Sequence, residues 1–241
     1  MTTPADVEFR SDVTVELVRA SAHDSDVVFA ARVSTVGEAS VADVDADAER
    51  SAGLIRYLMR ERHGSPFEHN SMTFFVQAPI FVWREHMRHR IASYNEESGR
   101  YRELRPIFYV PDRDRPVVQA GKPGAYEFHP GTPEQYDLID EAVRESCVVA
   151  YTQYQRMLDA GIAREVARMV LPVTIYSSAY VTMNARALMN FLSLRRKAEN
   201  STYPSYPQRE IEMVAEVYEE HFARLMPITH EAFVAAGRVA P

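Results

Sequence analysis

Arg88 to Tyr101 reads RHRIASYNEESGRY, and ordinary core segments are not built this way. Three arginines, a histidine, two serines, an asparagine, two glutamates and a glycine fall within fourteen residues. Ser93, Asn95, Ser98 and Gly99 are poor residues for a helix interior. The segment is therefore expected to leave the helix that carries Arg84 and Arg88 and to display its charges on a loop. Arg88, Arg90 and Arg100 can then converge on an anion, with serine hydroxyls and backbone N–H groups as further donors. The bland alternative is a solvated, charged helix end.

Outward from this stretch, the chain mixes strands and helices without a βαβ rhythm. Upstream, Val13 to Val18 alternates as a half-buried strand, and Asp24 to Val33 reads as a short helix. After a polar stretch, a helix is expected from about Asp45 to His63, closed by Gly64. Met72 to Gln77 is rich in aromatic and β-branched residues and reads as a strand, and Pro79 suits the first turn of a new helix. On that helix Ile80, Trp83 and Met87 would share an apolar face, with Arg84, Arg88 and Ile91 as a neighbouring row.

Downstream, residues 112–131 carry Pro, Gly and charge without a period, so a loop of about twenty residues is expected there, of the length that is usually functional or mobile. Thr132, Pro133 and Gln135 supply a cap, a first-turn proline and a capping-box partner for a long helix ending near Gly161. Ala163 to Leu171 reads as helix, Val173 to Val181 as strand and Ala185 to Leu194 as helix. Asn200 to Pro207 breaks the pattern, and a final amphipathic helix runs from about Gln208 to Leu225. No repeat or linker is visible, and one α+β domain, with antiparallel strands and long helices, is the economical reading.

With 241 residues, 46% hydrophobic and 25% charged, the chain has an ordinary globular balance. A net charge of −7 argues against general nucleic-acid binding, which depends on neutralising phosphates. No apolar run approaches a membrane span, and Met1 to Glu8 lacks a signal-peptide core, so no membrane association and a cytoplasmic location are expected. The single cysteine, Cys147, excludes an internal disulfide framework and a multi-cysteine zinc site. It lies among Ile139, Val143, Ala150 and Tyr154 at helical spacing and reads as core; a nucleophilic role is the alternative.

The quoted stretch resembles the RHRxxSxNxxSxRY signature of the flavin-dependent thymidylate synthases at every fixed position. Ala31 to Thr35 is similar to that family's ARVS-type segment. HGSPFEH at His63 to His69 is similar to its H-x-[ST]-P-F-E-H segment, and NARALMNFLSLR at Asn184 to Arg195 to its NxRxLxxFLxLR segment. The blocks are widely separated, and the resemblance spans about Val13 to Leu225. It implies the flavin-dependent thymidylate synthase fold, assembled as a homotetramer with flavin sites shared between subunits. The implied reaction is the reductive methylation of dUMP to dTMP, with 5,10-methylenetetrahydrofolate as carbon donor, reduced FAD as hydride donor and NADPH as electron source.

Residue by residue, the resemblance implies flavin contacts at Ser65, Arg88, His89, Arg90, Glu96, Asn184, Arg186 and Asn190. It implies nucleotide contacts at Glu85, Arg88, Glu96, Glu97, Ser98, Gly99, Arg100, Arg168 and Arg195, with Tyr101 beside them. Arg195 matches the arginine that polarises the uracil ring and is the expected catalytic residue, because preorganised donors stabilise charge that develops on the carbonyls. Arginine suits both phosphate and ring, since its fork binds oxygens in pairs and its charge survives partial burial. Ser98 lacks an evident base and is expected to bind substrate and not to attack it. Glu85 stands where many relatives carry glutamine. Glu199 stands where a histidine is common, in a segment, Lys197 to Ser205, longer than usual, and no flavin contact is assigned to it. Two other readings remain: a flavin-dependent enzyme acting on another pyrimidine nucleotide or one-carbon donor, and a non-enzymatic nucleotide-binding regulator.

Overall fold

In the computed structural model, which describes residues 7–37, 48–123 and 125–241, the cap expected at Thr132 is formed. The Thr132 side chain accepts the Gln135 backbone N–H at 3.3 Å, and the Gln135 side chain accepts the Thr132 N–H at 2.9 Å. This reciprocal box, with Pro133 in the first turn, starts the longest helix among the described residues. The elements in order are β1 (Glu8–Arg10), β2 (Thr14–Ser21), α1 (Asp24–Val36), α2 (Ala48–Arg60), β3 (Ser71–Pro79), α3 (Ile80–His86), β4 (Ser93–Glu96), β5 (Ile107–Tyr109), β6 (Val118–Lys122), β7 (Ala125–His129), α4 (Pro133–Asp159), α5 (Arg164–Ala167), β8 (Tyr176–Met183), α6 (Ala185–Arg195), α7 (Arg209–Leu225) and α8 (Pro227–Ala235). The class is α+β. A four-stranded sheet has the order β2-β3-β8-β4, and two two-stranded pairs, β1-β5 and β6-β7, complete the strands.

These elements fall into two compact units, each assembled from separated stretches. The first contains the residues up to Val13, Gln77–His86 and Glu96–Ala179; the second contains Thr14–Val76, Met87–Asn95 and Tyr180–Pro241.

The first unit is organised by α4. Its buried face carries Cys147, Tyr151 and Tyr154, which pack with Leu104, Phe108, Ala167 and Ile175. The two tyrosines carry polar atoms into this core and satisfy them on one residue. Tyr151 Oη donates to the Leu104 carbonyl at 3.0 Å, and Tyr154 Oη accepts the Leu104 N–H at 3.2 Å. Cys147 is only 1% exposed, its sulfur lies 3.4 Å from Thr174 Oγ1, and burial pushes its thiol pKa up. A thiol held protonated is a poor nucleophile. Cys147→Ala is expected to retain full turnover and to lose about 1–2 kcal/mol of stability from the small void; inactivation of a folded variant would return the cysteine to the chemistry.

Several sequence expectations change here. Residues 112–131 do not form one structureless loop: β6 and β7 pair antiparallel, Val118 opposite His129 through Lys122 opposite Ala125. Both strands are largely exposed, so no apolar alternation marks them in the sequence. The β1–β5 pair is parallel, Phe9 opposite Phe108, an addition to the antiparallel strands expected. Three-residue strands are too short to carry a period. The helix after Pro79 ends at His86, so Arg84 and Arg88 do not form one row on it, and Met87 lies beyond it, exposed. The expected helix over Ala163 to Leu171 resolves into α5 and a short 3-10 turn at Arg168–Val170.

In the second unit α7 buries Ile211, Val214, Ala215, Tyr218 and Phe222 at three- and four-residue spacing. Tyr218 packs on Phe74 and Phe191, with ring centroids 4.4 and 5.5 Å apart. The start of the second helix at Asp45 lies outside the described residues. Its end differs from the expected glycine stop: Arg62, with φ of 60°, is the left-handed residue, and the His63 N–H reaches back to the Leu58 carbonyl at 2.9 Å. One further helix, α8, follows the one expected to be last. Pro227 occupies its first turn, and its cap comes from far away in sequence. Asp24 accepts the Ile228 and Thr229 N–H groups at 3.0 and 2.8 Å and the Thr229 hydroxyl at 2.6 Å. No described helix is long and apolar enough to cross a membrane.

Candidate active site

The quoted stretch is less loop-like than its composition suggests. Ser93–Glu96 forms β4, at the edge of the four-stranded sheet, and the boundary between the two units falls between Asn95 and Glu96. Its first half thus belongs to the second unit and its second half to the first.

In the first unit the two glutamates of the stretch are held on consecutive serines of β8. Glu96 Oε1 accepts the Ser177 hydroxyl at 2.5 Å. Glu97 Oε1 accepts the Ser178 N–H at 2.9 Å, while the Glu97 N–H donates to the Ser178 carbonyl at 2.8 Å. The other Glu97 oxygen faces Arg102 at 3.7 Å. Behind Ser178 stands Gln77, 8% exposed; its Nε2 reaches the Ser178 hydroxyl at 3.4 Å, and its Oε1 accepts Arg10 Nη1 at 2.5 Å. Asp12 pairs with Arg10 at 2.9 Å and holds its guanidinium charged. Glu97 therefore acts on this unit as an anchor for the turn that follows.

That turn presents the remaining candidates. Ser98 Oγ accepts the Arg100 N–H at 3.3 Å, and the Ser98 carbonyl accepts the Tyr101 and Arg102 N–H groups. Gly99 is buried, and a Cβ there would lie 3.1 Å from the Leu104 side chain and 3.2 Å from Cδ of Arg168. The missing side chain thus lets Arg168, itself exposed, lie against the turn. Arg100 Nε pairs with Glu165 Oε2 at 2.8 Å, both groups being more than half exposed, so this pair is cheaply exchanged for an incoming anion. Glu85, on α3, is half-buried. The sequence missed Arg10, Gln77, Ser177 and Ser178 as supports; the two adjacent serines within an otherwise apolar strand are the signal that could have marked them.

The second unit contains the expected flavin contacts other than Glu96, which lies in the first. Asn184 caps α6, accepting the Ala187 N–H at 2.9 Å. Arg186 is drawn toward Gly64: it donates to the Pro241 carbonyl at 2.7 Å and pairs with Glu68 at 2.6 Å. A Cβ on Gly64 would lie 2.5 Å from its guanidinium. Ser65 follows directly, opening the short 3-10 turn Ser65–Glu68, and the exposed Asn190 amide donates to the Arg186 carbonyl at 3.1 Å. Arg88 and Arg90 are exposed. His89 packs on Phe191, with centroids 4.6 Å apart.

Arg195, at the end of α6, donates its Nε–H to His89 Nε2 at 3.1 Å. An arginine offers only donors, so His89 Nε2 is the acceptor in this bond. The bond orients the guanidinium. This set of fixed planar donors, amides and an aromatic-backed histidine fits a large planar, polar cofactor. Exposed Glu199 has no recorded part in it.

The family model described as "Thymidylate synthase complementing protein" matches residues 16–228. The chain is 64% identical over 242 residues to a flavin-dependent thymidylate synthase of Streptomyces coelicolor, covering 99% of this chain and 98% of that protein. It is 61% identical over 236 residues to one of Tropheryma whipplei, covering 98% of both. Among solved structures it resembles the UMP/dUMP methylase PolB of Streptomyces cacaoi. The complex with 5-Br dUMP has a TM-score of 0.93, 58% identity and coverage of 98% of this chain and 100% of that chain; the complex with 5-Br UMP has a TM-score of 0.90 and 57% identity.

Proposed function

This chain belongs to the thymidylate synthase complementing protein family, and we propose that it carries out that synthesis with FAD, 5,10-methylenetetrahydrofolate and NADPH, as a cytoplasmic homotetramer whose subunits share flavin sites. The activity itself, flavin-dependent formation of thymidylate from dUMP, follows from near full-length identity above 60% to flavin-dependent thymidylate synthases. The observation that supports the finer reading is the Arg195–His89 bond, which orients a guanidinium on one of the expected flavin contacts.

Arg100 and Arg168, beside the buried Gly99, take the phosphate of dUMP, and Ser98 with the adjacent backbone N–H groups takes part in holding the nucleotide. Arg195 polarises a uracil carbonyl and so raises the electron density at C5. The methylene carbon passes from the folate to C5, the C5 proton leaves, and the hydride that completes the methyl group comes from reduced flavin, with tetrahydrofolate released. Arg186, Asn184, Asn190 and Ser65 hold the flavin, and Arg88, His89 and Arg90 contact it. Large apolar groups on the surface, Met169 at 78% and Ile91 at 75% exposure, are of the kind that assembly covers.

The test is a visible spectrum of the purified protein followed by turnover with dUMP, methylenetetrahydrofolate and NADPH. A colourless protein that binds no added FAD would defeat the reading, and dTMP formation dependent on all three supports it. The likeness to a UMP/dUMP methylase favours one companion reading, that UMP is also methylated. Parallel assays with dUMP and UMP decide it, and a rate on UMP at the background level removes it.

Ser98→Ala is expected to weaken dUMP binding by about 0.5–1.5 kcal/mol, the worth of a neutral hydrogen bond, with turnover retained at saturating nucleotide. Its hydroxyl accepts the Arg100 backbone N–H, and among the described residues of its unit no histidine or carboxylate bonds to it. Single-turnover dTMP formation with pre-reduced flavin checks this. Absence of product in a variant that still binds FAD and dUMP would make the serine a nucleophile.

A further inference from the structure

The second unit contains a cavity of about 510 Å3 lined by Arg56, Arg60, Arg62, Tyr203 and Thr202 over an apolar floor that includes Met59 and Ala232. Arg56 and Arg60 stand one turn apart on α2, and so on one face of it. Arg62 follows in the left-handed conformation, with φ of 60°. That region favours glycine, and Gly64 is two residues away; the chain nonetheless places a guanidinium there. Its recorded bond is a 3.3 Å contact to the Ala240 carbonyl.

The other two arginines are committed only loosely. Arg56 faces Glu231 at 3.4 Å and Arg60 faces Glu61 at 2.9 Å, all four groups being more than 40% exposed, so these pairs are worth little and exchange readily. Across the cavity Tyr203 keeps its ring 72% exposed. The backbone before it is held, because the Thr202 N–H donates to the Gly237 carbonyl at 2.9 Å. Gly237, with φ of 67°, leaves room for the Thr202 hydroxyl, which a Cβ would meet at 2.0 Å.

We propose that this cavity is an accessory binding site for an aromatic phosphate of nucleotide size. The arginines take the phosphate, by the bidentate geometry that guanidinium offers, and Tyr203 with the apolar floor takes the ring. The volume lies in the range of small-molecule sites. None of these side chains is given a part in the reaction proposed above, and the occupant modulates or is carried by the enzyme.

Calorimetric titrations of the flavin-loaded protein, saturated with dUMP so that the reaction sites are filled, use ADP, adenosine and inorganic phosphate as probes. ADP is expected to bind at one site per chain, at least tenfold more tightly than either fragment. Arg60→Ala combined with Arg62→Ala should weaken ADP at least tenfold, and Tyr203→Ala about fivefold, with dTMP formation in the absence of ADP unchanged in all variants. Arg60→Lys should recover part of the loss if charge is what matters. ADP that fails to bind at millimolar concentration, or that binds equally to wild type and to the arginine variant, overturns the proposal. Because thymidylate formation is assayed on the same samples, failure of the synthase reading is seen separately.

Discussion

Arg195→Ala is expected to keep its fold and to lose about 100- to 1000-fold in kcat, the cost typical of removing one preorganised donor from a developing negative charge. Arg195 is half-buried at the end of α6, where removal of one side chain disturbs no helix hydrogen bond. Its Nε–H is used on His89, and this is why the effect should exceed that of deleting a mobile surface arginine. Arg195→Lys should not restore the rate, since an ammonium is a point donor that cannot both hold His89 Nε2 and present two parallel N–H groups. Steady-state rates at saturating dUMP, with flavin content read from the visible spectrum, are the measurement. A variant within twofold of wild type would remove Arg195 from the catalytic role.

Asp24→Ala should be the most damaging to stability of the changes considered, by about 2–4 kcal/mol. One carboxylate satisfies two backbone N–H groups at the start of α8 and the hydroxyl of Thr229, which is 0% exposed. Losing an N-cap costs about 1–2 kcal/mol, and each buried donor left without a partner adds about 1–3 kcal/mol, partly offset by relaxation. Asp24→Asn keeps one acceptor and should lose roughly half as much. The check is the denaturant midpoint of the two variants beside wild type. A midpoint unchanged in Asp24→Ala would mean that the first turn of α8 contributes nothing to the unit.

The Thr132 cap and the apolar spacing of α4 and α7 are local, since a capping box and a three-to-four period are satisfied within one helix, and both were legible. The chemistry was legible for a related reason. Arg88 to Tyr101 and Asn184 to Arg195 are contiguous blocks of residue types at fixed spacing, and that spacing, which carries the resemblance to the family, is written along the chain. The β6–β7 hairpin was not legible, because exposed strands carry no apolar alternation. Nor was α8, whose cap lies some two hundred residues away at Asp24. Strand β4 was misread as loop because its residues are held by pairing with a neighbour and not by their own preferences.

The site shows the same division. Sequence marked the residues proposed for the chemistry: the arginines, His89, Ser98 and the two asparagines. Tertiary structure decided what each carboxylate and guanidinium is tied to. Glu97 is spent on Ser178, Arg10 and Gln77 stand behind it, and Arg195 is oriented by a histidine 106 positions earlier in the chain. Hydrogen bonds between remote side chains depend on where the backbone carries them, and no local pattern of residue types encodes that distance.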